Sequence, residues 1–358
     1  MNREAALESW VQRQLSRIDD SGPGAIQLQP LSGDASFRRY FRVSLPAASY
    51  VVVDAPPDSE DNETFVRIAD EFRAAGVMTP RILAADYGHG FMLQEDFGDG
   101  LYLQALQQAR QAAGPDQPVA EQVLDLYRRA IDTLVLLQKN VSPEKFPPYD
   151  GRLLHREMQL FQDWFCERFL ALKLTAEERR LILESQEFLA NAALAQPRVV
   201  VHRDYHSRNL MIPDPRRYPA DAAPGVIDFQ DAVAGAYTYD LVSLLRDCYI
   251  SWPRATVESL ARYYMKSAAA AGVAGGIDEA RFFRDLDLMG LQRHMKVIGI
   301  FARLCIRDGK SGFLADIPQT IDYFTRVAAN YGELDQLLDW FERRVQPAAR
   351  RRLPGMPS

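Results

Sequence analysis

The stretch His202-Arg203-Asp204-Tyr205-His206-Ser207-Arg208-Asn209 decides the fold of this chain, together with Ile227-Asp228-Phe229-Gln230 beyond a proline-rich loop. In an H-R-D-x-x-x-x-N run followed by a strand ending in Asp, each polar residue has a task in phosphoryl transfer. Asp204 would accept or orient the proton of an attacking hydroxyl, and Asn209 and Asp228 would hold Mg²⁺ against nucleotide phosphates. Such transfer depends on positioning and charge neutralisation, so oxygen ligands for a hard cation are the expected chemistry. Both segments follow short apolar runs, Val199 to Val201 and Val226 to Ile227, as that context requires. His202 and His206 offer an alternative metal pair, but no helix is expected there and no third soft ligand sits nearby.

Upstream, residues 3–17 place Leu7, Trp10, Val11 and Leu15 at helical spacing. Phe37 to Leu45 and Tyr50 to Val53 are short, aromatic and β-branched, and read as strands. A helix is expected over 58–76, stopped by Gly76, then two more short strands at 82–84 and 91–94. After Gly98 the texture becomes helical, with helices expected over 121–139, 153–172 and 176–195 and again beyond 238. A strand-rich first third before a helix-rich remainder indicates an α+β chain of two lobes. We place the boundary at residue 97, giving a lobe of 1–97 and a lobe of 98–358. The tail from Arg343 to Ser358, with three consecutive arginines, is expected to be a solvated end.

The chain has 358 residues, 47% hydrophobic and 25% charged, as in globular proteins, which excludes collagen-like, coiled-coil and wholly disordered classes. Its 48 acidic residues outnumber 42 Lys plus Arg, so nucleic acid is not an expected partner. Cys166, Cys248 and Cys305 are too few and too scattered for a disulfide framework, and fit a reducing cytoplasm. No apolar run is long enough for a transmembrane helix and the N-terminus lacks a signal-peptide core, so a cytoplasmic protein without membrane partner is expected.

These motifs resemble the aminoglycoside phosphotransferase–choline kinase branch of the protein-kinase-like fold, over roughly residues 30–310. The resemblance implies a bilobal α+β fold with ATP and Mg²⁺ in the cleft near residue 97. It implies Asp204 as catalytic base, Asn209 and Asp228 as metal ligands, and Asp240 as the structural Asp of that family. Asp231 would face the substrate. Leu31-Ser32-Gly33-Asp34-Ala35-Ser36-Phe37 stands where the phosphate-covering loop belongs, with Ser32, Gly33 and Ser36 as phosphate contacts. Phe91 to Phe97 resembles the hinge that holds adenine through backbone hydrogen bonds, which places Gln94 and Asp96 at the nucleotide.

The departure from the family is lysine: none precedes Lys139. The strand that should carry it reads Tyr50-Val51-Val52-Val53-Asp54. By resemblance Val43 would lie under the adenine, and alternation along the strand would put Phe41 and Arg39 on the same inner face. Arg39 is therefore the expected phosphate contact, since an arginine stays charged and can bind bidentately.

The acceptor is read from the second lobe. Residues 1–97 hold 9 Arg against 15 acidic residues, while the 33 basic and 33 acidic residues of 98–358 balance. A polycationic aminoglycoside would favour an acidic lobe. Within Leu291 to Leu304, Gln292, Lys296, Gly299 and Arg303 fall on one helical stripe that could line a cavity, and His294 on the Phe301 side is expected in the core. The runs Val53-Asp54-Ala55-Pro56-Pro57, Gln94 to Asp99, Gln292 to Lys296 and Arg307-Asp308-Gly309-Lys310 resemble one bacterial branch of the family. That branch comprises the anomeric kinases of cell-wall recycling, which phosphorylate the C1 hydroxyl of N-acetylmuramate and N-acetylglucosamine. The resemblance implies a small amino-sugar partner and a monomer, with Arg293, Lys296 and Arg303 as candidate contacts for the lactyl carboxylate.

Overall fold

The computed structural model describes residues 2–18, 26–31, 37–46, 48–113, 118–353 and 355–356. Ser32, Gly33 and Ser36 lie outside the described residues. The elements run α1 (Arg3–Ile18), β1 (Gln29–Leu31), β2 (Arg39–Ser44), β3 (Ser49–Asp54), α2 (Asn62–Ala74), β4 (Ile82–Asp86), β5 (Phe91–Glu95) and β6 (Gly100–Leu101). There follow α3 (Tyr102–Ala113), α4 (Glu121–Asn140), α5 (Gly151–Leu160), α6 (Ala176–Leu194), β7 (Arg198–Val201), β8 (Leu210–Ile212), β9 (Gly225–Val226) and β10 (Val233–Ala236). The rest is helical: α7 (Tyr239–Leu245), α8 (Arg254–Ala270), α9 (Glu279–Asp308), α10 (Ile317–Ala328) and short turns to Arg350.

Two compact units emerge, and a single cut at residue 97 does not describe them. The first comprises Met1–Tyr102 together with Asn209–Asp231; the second comprises Leu103–Arg208 and Ala232–Ser358. The reason is strand pairing. β8 pairs with β6 and with β9, both antiparallel, and Val226 N donates to Met78 O at 2.7 Å, which ties the proline-rich excursion to the first unit.

The first unit is built on an antiparallel sheet in the order β1-β2-β3-β5-β4. Its β-branched and aromatic residues suit a pleated, half-buried surface. One face carries Phe41, Val43, Val52, Phe91 and Leu93, covered by Leu7, Trp10, Val11 and Leu15 of α1. Each such fully buried side chain is worth about 1.5–3 kcal/mol. The helix expected from residue 58 starts at Asn62, because the Asp61 carboxylate caps it by accepting from Thr64 N at 2.9 Å. Gly76, with φ 89°, ends it as expected. Phe65 and Phe72 of α2 pack on Phe229, with ring centroids 4.9 and 6.0 Å apart.

The second unit is helical, apart from the β7–β10 pair. Its axis is α9, 30 residues and so about 45 Å long. Asp278 caps its start by accepting from Arg281 N at 2.8 Å, and Gly309 in the left-handed region ends it. The stripe read as cavity-lining is broken at Gly299, where α9 touches the backbone at Leu160–Phe161: a Cβ there would lie 2.3 Å from the Leu160 carbonyl carbon. That contact falls where α5 widens into a π-helical continuation, Phe161–Phe169. The tail is not a solvated end. Val345, Ala348, Ala349 and Leu353 are buried, and Arg344 reaches Glu178 at 2.8 Å. Its five arginines and its prolines hid a buried apolar stripe there.

The close approach at Gly299 yields a prediction. Gly299→Ala should destabilise the protein by about 2–3 kcal/mol through backbone overlap. Gly290→Ala, whose Cβ would meet the tip of the Arg246 side chain at 3.1 Å and Val242 at ordinary contact distance, with no backbone overlap, should cost markedly less. Urea midpoints of the two variants test the difference.

Candidate active site

In the second unit the polar loop after β7 is shaped by one buried carboxylate. Asp240, fully buried at the start of α7, accepts from His202 N at 2.6 Å and from Arg203 N at 3.0 Å. Arg203 takes φ 77°, a left-handed conformation costing a non-glycine residue about 1 kcal/mol or more. Burial pushes the Asp240 carboxyl up to about 7; the two amides oppose that rise and the neighbouring Asp204 adds to it. His202 Nδ1 accepts from Asp204 N at 3.2 Å, which engages the imidazole within the loop. A second buried carboxylate, Asp247, accepts from the Ser207 amide at 3.0 Å and from its hydroxyl.

Asp204 itself is partly exposed and surrounded by cations. Burial works to raise its pKa, but Lys296, His206, Arg203 and Arg293 outweigh that and hold it at about 2. Lys296 Nζ, buried on α9, donates to Tyr239 Oη at 2.9 Å and lies 3.3 Å from Glu157 Oε1. Burial opposes its charge, yet Glu157 and Tyr239 carry its pKa above the ordinary lysine value. Glu157 also takes the Arg203 guanidinium and the Tyr149 hydroxyl. Burial would raise Glu157, and Lys296 with Arg203 hold it low instead. Arg293, 2% exposed, faces Asp204, Asp247, Tyr239 and Cys248.

The structure places Arg293 and Lys296 among the charges acting on Asp204, and it adds Glu157, Tyr149 and Tyr239, which the sequence did not single out. A signal for Glu157 existed: it shares a helical face with Leu154 and Met158, both buried, and a carboxylate on an apolar face demands a partner. Arg303 does not join them. It is half-buried, ten residues or about 15 Å along α9 from Arg293, with Arg307, Asp308 and Glu157 as its charged neighbours. The stripe assigned it by angle while ignoring axial rise. His294 is a core residue as expected, fully buried and stacked on Tyr323 at 5.3 Å.

In the first unit Ile227 N donates to Asn209 O at 3.1 Å, and Asn209 Nδ2 donates to Asp228 Oδ2 at 3.1 Å. Gln230 Nε2 donates to Asp228 Oδ1 at 2.8 Å. Asp228 takes φ 63°, and the strand expected to end in this Asp stops two residues earlier, at Val226. The pair presents carboxylate and amide oxygens, the hard donors that suit Mg²⁺, which takes one or two protein carboxylates beside substrate phosphates. Asp231 is exposed. Gln94 is buried, with Oε1 lacking a hydrogen-bond partner among the described residues.

Two side chains expected at the nucleotide are engaged within the first unit. Arg39 shares its face with Phe41 and Val43, but that face lies under α1. Its guanidinium pairs with buried Asp54, Nε to Oδ2 3.0 Å, and Arg3 of α1 binds the same carboxylate at 2.8 Å. The Asp96 carboxylate is taken by Arg42, at 2.7 and 3.0 Å, and by Gly98 N at 3.0 Å. Burial would raise the Asp96 carboxyl, and the Arg42 and Ser49 hydrogen bonds lower it overall. Even its backbone oxygen accepts from Arg217 Nη1 at 2.8 Å. Asp96 is therefore a structural pin of this segment.

A model of the phosphotransferase enzyme family matches residues 27–283. The chain belongs to that family. A relative from Pseudomonas aeruginosa named N-acetylmuramate/N-acetylglucosamine kinase is 42% identical over 311 residues, 87% of this chain and 86% of that one. A relative of the same name from Pseudomonas putida is 40% identical over 335 residues, 92% and 93% of the two chains. The choline kinase LicA from Streptococcus pneumoniae has a similar fold, with TM-score 0.57 over 91% of this chain and 100% of that one, at 10% identity. The fold is thus the α+β protein-kinase-like one, and the chain is a phosphotransferase. Among the described residues no helix is long and apolar enough to cross a membrane.

The buried Asp240 carboxyl makes stability depend on pH in a definite direction. The folded chain keeps its proton up to about pH 7, whereas an aspartate in the unfolded chain loses it at pH ~3.9. Between those values the folded state binds more protons, so this group makes stability fall as pH rises. Asp240→Asn cannot titrate. Urea unfolding at pH 5 and 7.5 should show wild type losing about 1–3 kcal/mol more than the variant over that interval.

Proposed function

We propose that this phosphotransferase moves the γ-phosphoryl group of ATP to the anomeric hydroxyl of N-acetylmuramate and N-acetylglucosamine, in peptidoglycan recycling in the cytoplasm. The observation that carries the substrate reading is identity of 40–42% over almost the whole chain to kinases named for those two sugars. The cationic surroundings of Asp204 support it, since they suit a neutral or anionic acceptor better than a polycationic one.

Asp204, ionised throughout the neutral range, accepts the hydrogen bond of the sugar hydroxyl and orients its oxygen toward phosphorus. The new O–P bond forms as the bond from phosphorus to the β,γ-bridging oxygen breaks, and ADP leaves. A carboxylate held this low is a weak base, so it takes the proton late, which suits a loose transition state in which orientation outweighs proton abstraction. Asn209 and Asp228 would hold Mg²⁺, which when bound neutralises phosphate charge. The backbone of the segment after Gln94 would carry the adenine, and the loop containing Ser32, Gly33 and Ser36 would cover the phosphates. Asp231 and Lys296 are assigned to the acceptor side, Lys296 acting through its field on Asp204. The active species is a monomer in this reading.

Asp204→Asn should lower kcat by about 10²–10⁴-fold while leaving the unfolding midpoint close to wild type. ³¹P NMR with Mg-ATP and either sugar should show a sugar phosphate coupled to the anomeric proton. Intact ATP with both sugars, from protein that binds nucleotide, would reject the acceptor assignment.

A further inference from the structure

The cations around Asp204 are not equivalent. Lys296 has Glu157 and the Tyr239 hydroxyl within reach, and Arg203 has Glu157. Arg246, which faces the same helix, pairs with Asp287 at 2.5 Å. Arg293 differs. It is 2% exposed, its Nη1 is buried without a hydrogen-bond partner, and it makes no ion pair among the described residues. Asp204 and Asp247 balance it only through space.

A guanidinium carries five donors in a planar fork and cannot shed its proton. Burying it without a partner is costly, and a folded protein tolerates the cost where a bound anion supplies the missing acceptors. The fork geometry matches a carboxylate or a phosphoryl group bidentately. Asp204 decides between them in part, because it lies among the charges acting on Arg293 and is the group that receives the acceptor alcohol. The two sugars in the proposed function differ in one charged group: N-acetylmuramate has a lactyl carboxylate and N-acetylglucosamine has none.

We propose that Arg293 is the carboxylate-binding residue of the acceptor site, holding the lactyl group of N-acetylmuramate and setting the preference between the two sugars. This rests on the reading of the acceptor given above. Lys296 is set aside because its ammonium is already engaged by Glu157 and the Tyr239 hydroxyl, and Arg303 because it is not among the cations named as acting on Asp204. Gln292, next to Arg293 and fully buried with an unpaired Oε1, belongs to the part of the site that both sugars share.

The test is the ratio of kcat/KM for N-acetylmuramate to that for N-acetylglucosamine, measured on the full chain with Mg-ATP. Arg293→Met should lower this ratio roughly 10- to 100-fold, the range expected for a hydrogen bond to a charged group. Any loss common to both sugars reports the influence of Arg293 on Asp204 and cancels in the ratio. Arg293→Lys should fall between, keeping the charge and losing the fork. A substrate-side control needs no variant: the methyl ester of N-acetylmuramate should lose the same factor with wild type, and little further with Arg293→Met. An unchanged ratio in Arg293→Met, or a methyl ester as good as the free acid with wild type, overturns the proposal. A wild-type protein inactive on both sugars overturns instead the acceptor reading beneath it.

Discussion

Two hydrogen bonds to one buried carboxylate organise the second unit. Asp240 accepts the amides of His202 and Arg203, and that holds the backbone where Arg203 must take φ 77°. The turn sends the Arg203 side chain to Glu157, and Glu157 in turn holds Lys296 and Tyr149. Asp204 follows directly on Arg203 and sits where these cations act on it. Its ionisation is therefore a consequence of the loop's shape, since an exposed loop of the same sequence would leave those charges screened by water. The strain at Arg203 persists because buried partners on two helices over-determine it.

The first unit uses its acidic excess differently. Asp54 ties β3 to β2 and α1 through Arg39 and Arg3, and Asp96 ties the end of β5 to β2 through Arg42. Both carboxylates are almost wholly buried. They clamp neighbouring elements with bidentate or paired geometry, which is where ion pairs hold their strength. The three arginines are then structural, and the loss of a strand lysine from this unit leaves phosphate contact to groups other than Arg39. Arg38, on the opposite parity of the strand edge, is buried against Phe65 and paired with Glu60 at 2.9 Å. Through Phe65 and Phe229 it is two ring contacts from the Asp228 segment.

What was legible in the sequence was local. The H-R-D-x-x-x-x-N run, Asp228 and Asp240 could be read because their backbone context is set within a few residues, and the family's structural Asp marks the partner of the loop. The helices read well because apolar spacing reports burial directly. Arg39 was misread because alternation sorts residues into two faces without saying which layer covers each; α1, far off in sequence, covers the face in question. A helical wheel discards the axial coordinate, so it could not show that Arg303 stands about 15 Å along α9 from Arg293. The unit boundary was missed because β8 and β9 return to pair with β6 from a hundred residues away. In each case the lost information is long-range pairing, which no window of sequence contains.

The geometry of α9 bears on the acceptor side proposed for this enzyme. Gly299 lets this helix lie directly on the backbone at Leu160–Phe161, so its axis is positioned by steric contact and not by adjustable side chains. Within the two preceding turns, Gln292, Arg293 and Lys296 emerge from the same segment, all buried. A mobile arginine on the surface would lose rotamer entropy on binding an anion, and water would compete for its donors. An arginine held by a packed helix has already lost that freedom during folding. The energy stored in its unmet hydrogen bonds is then available for selecting a ligand, at a cost in stability that the long packed helix can bear. In the proposal above, that trade lets one site take both a neutral and an anionic sugar while distinguishing them: the shared contacts and Asp204 would serve either, and Arg293 would respond only to the charged group.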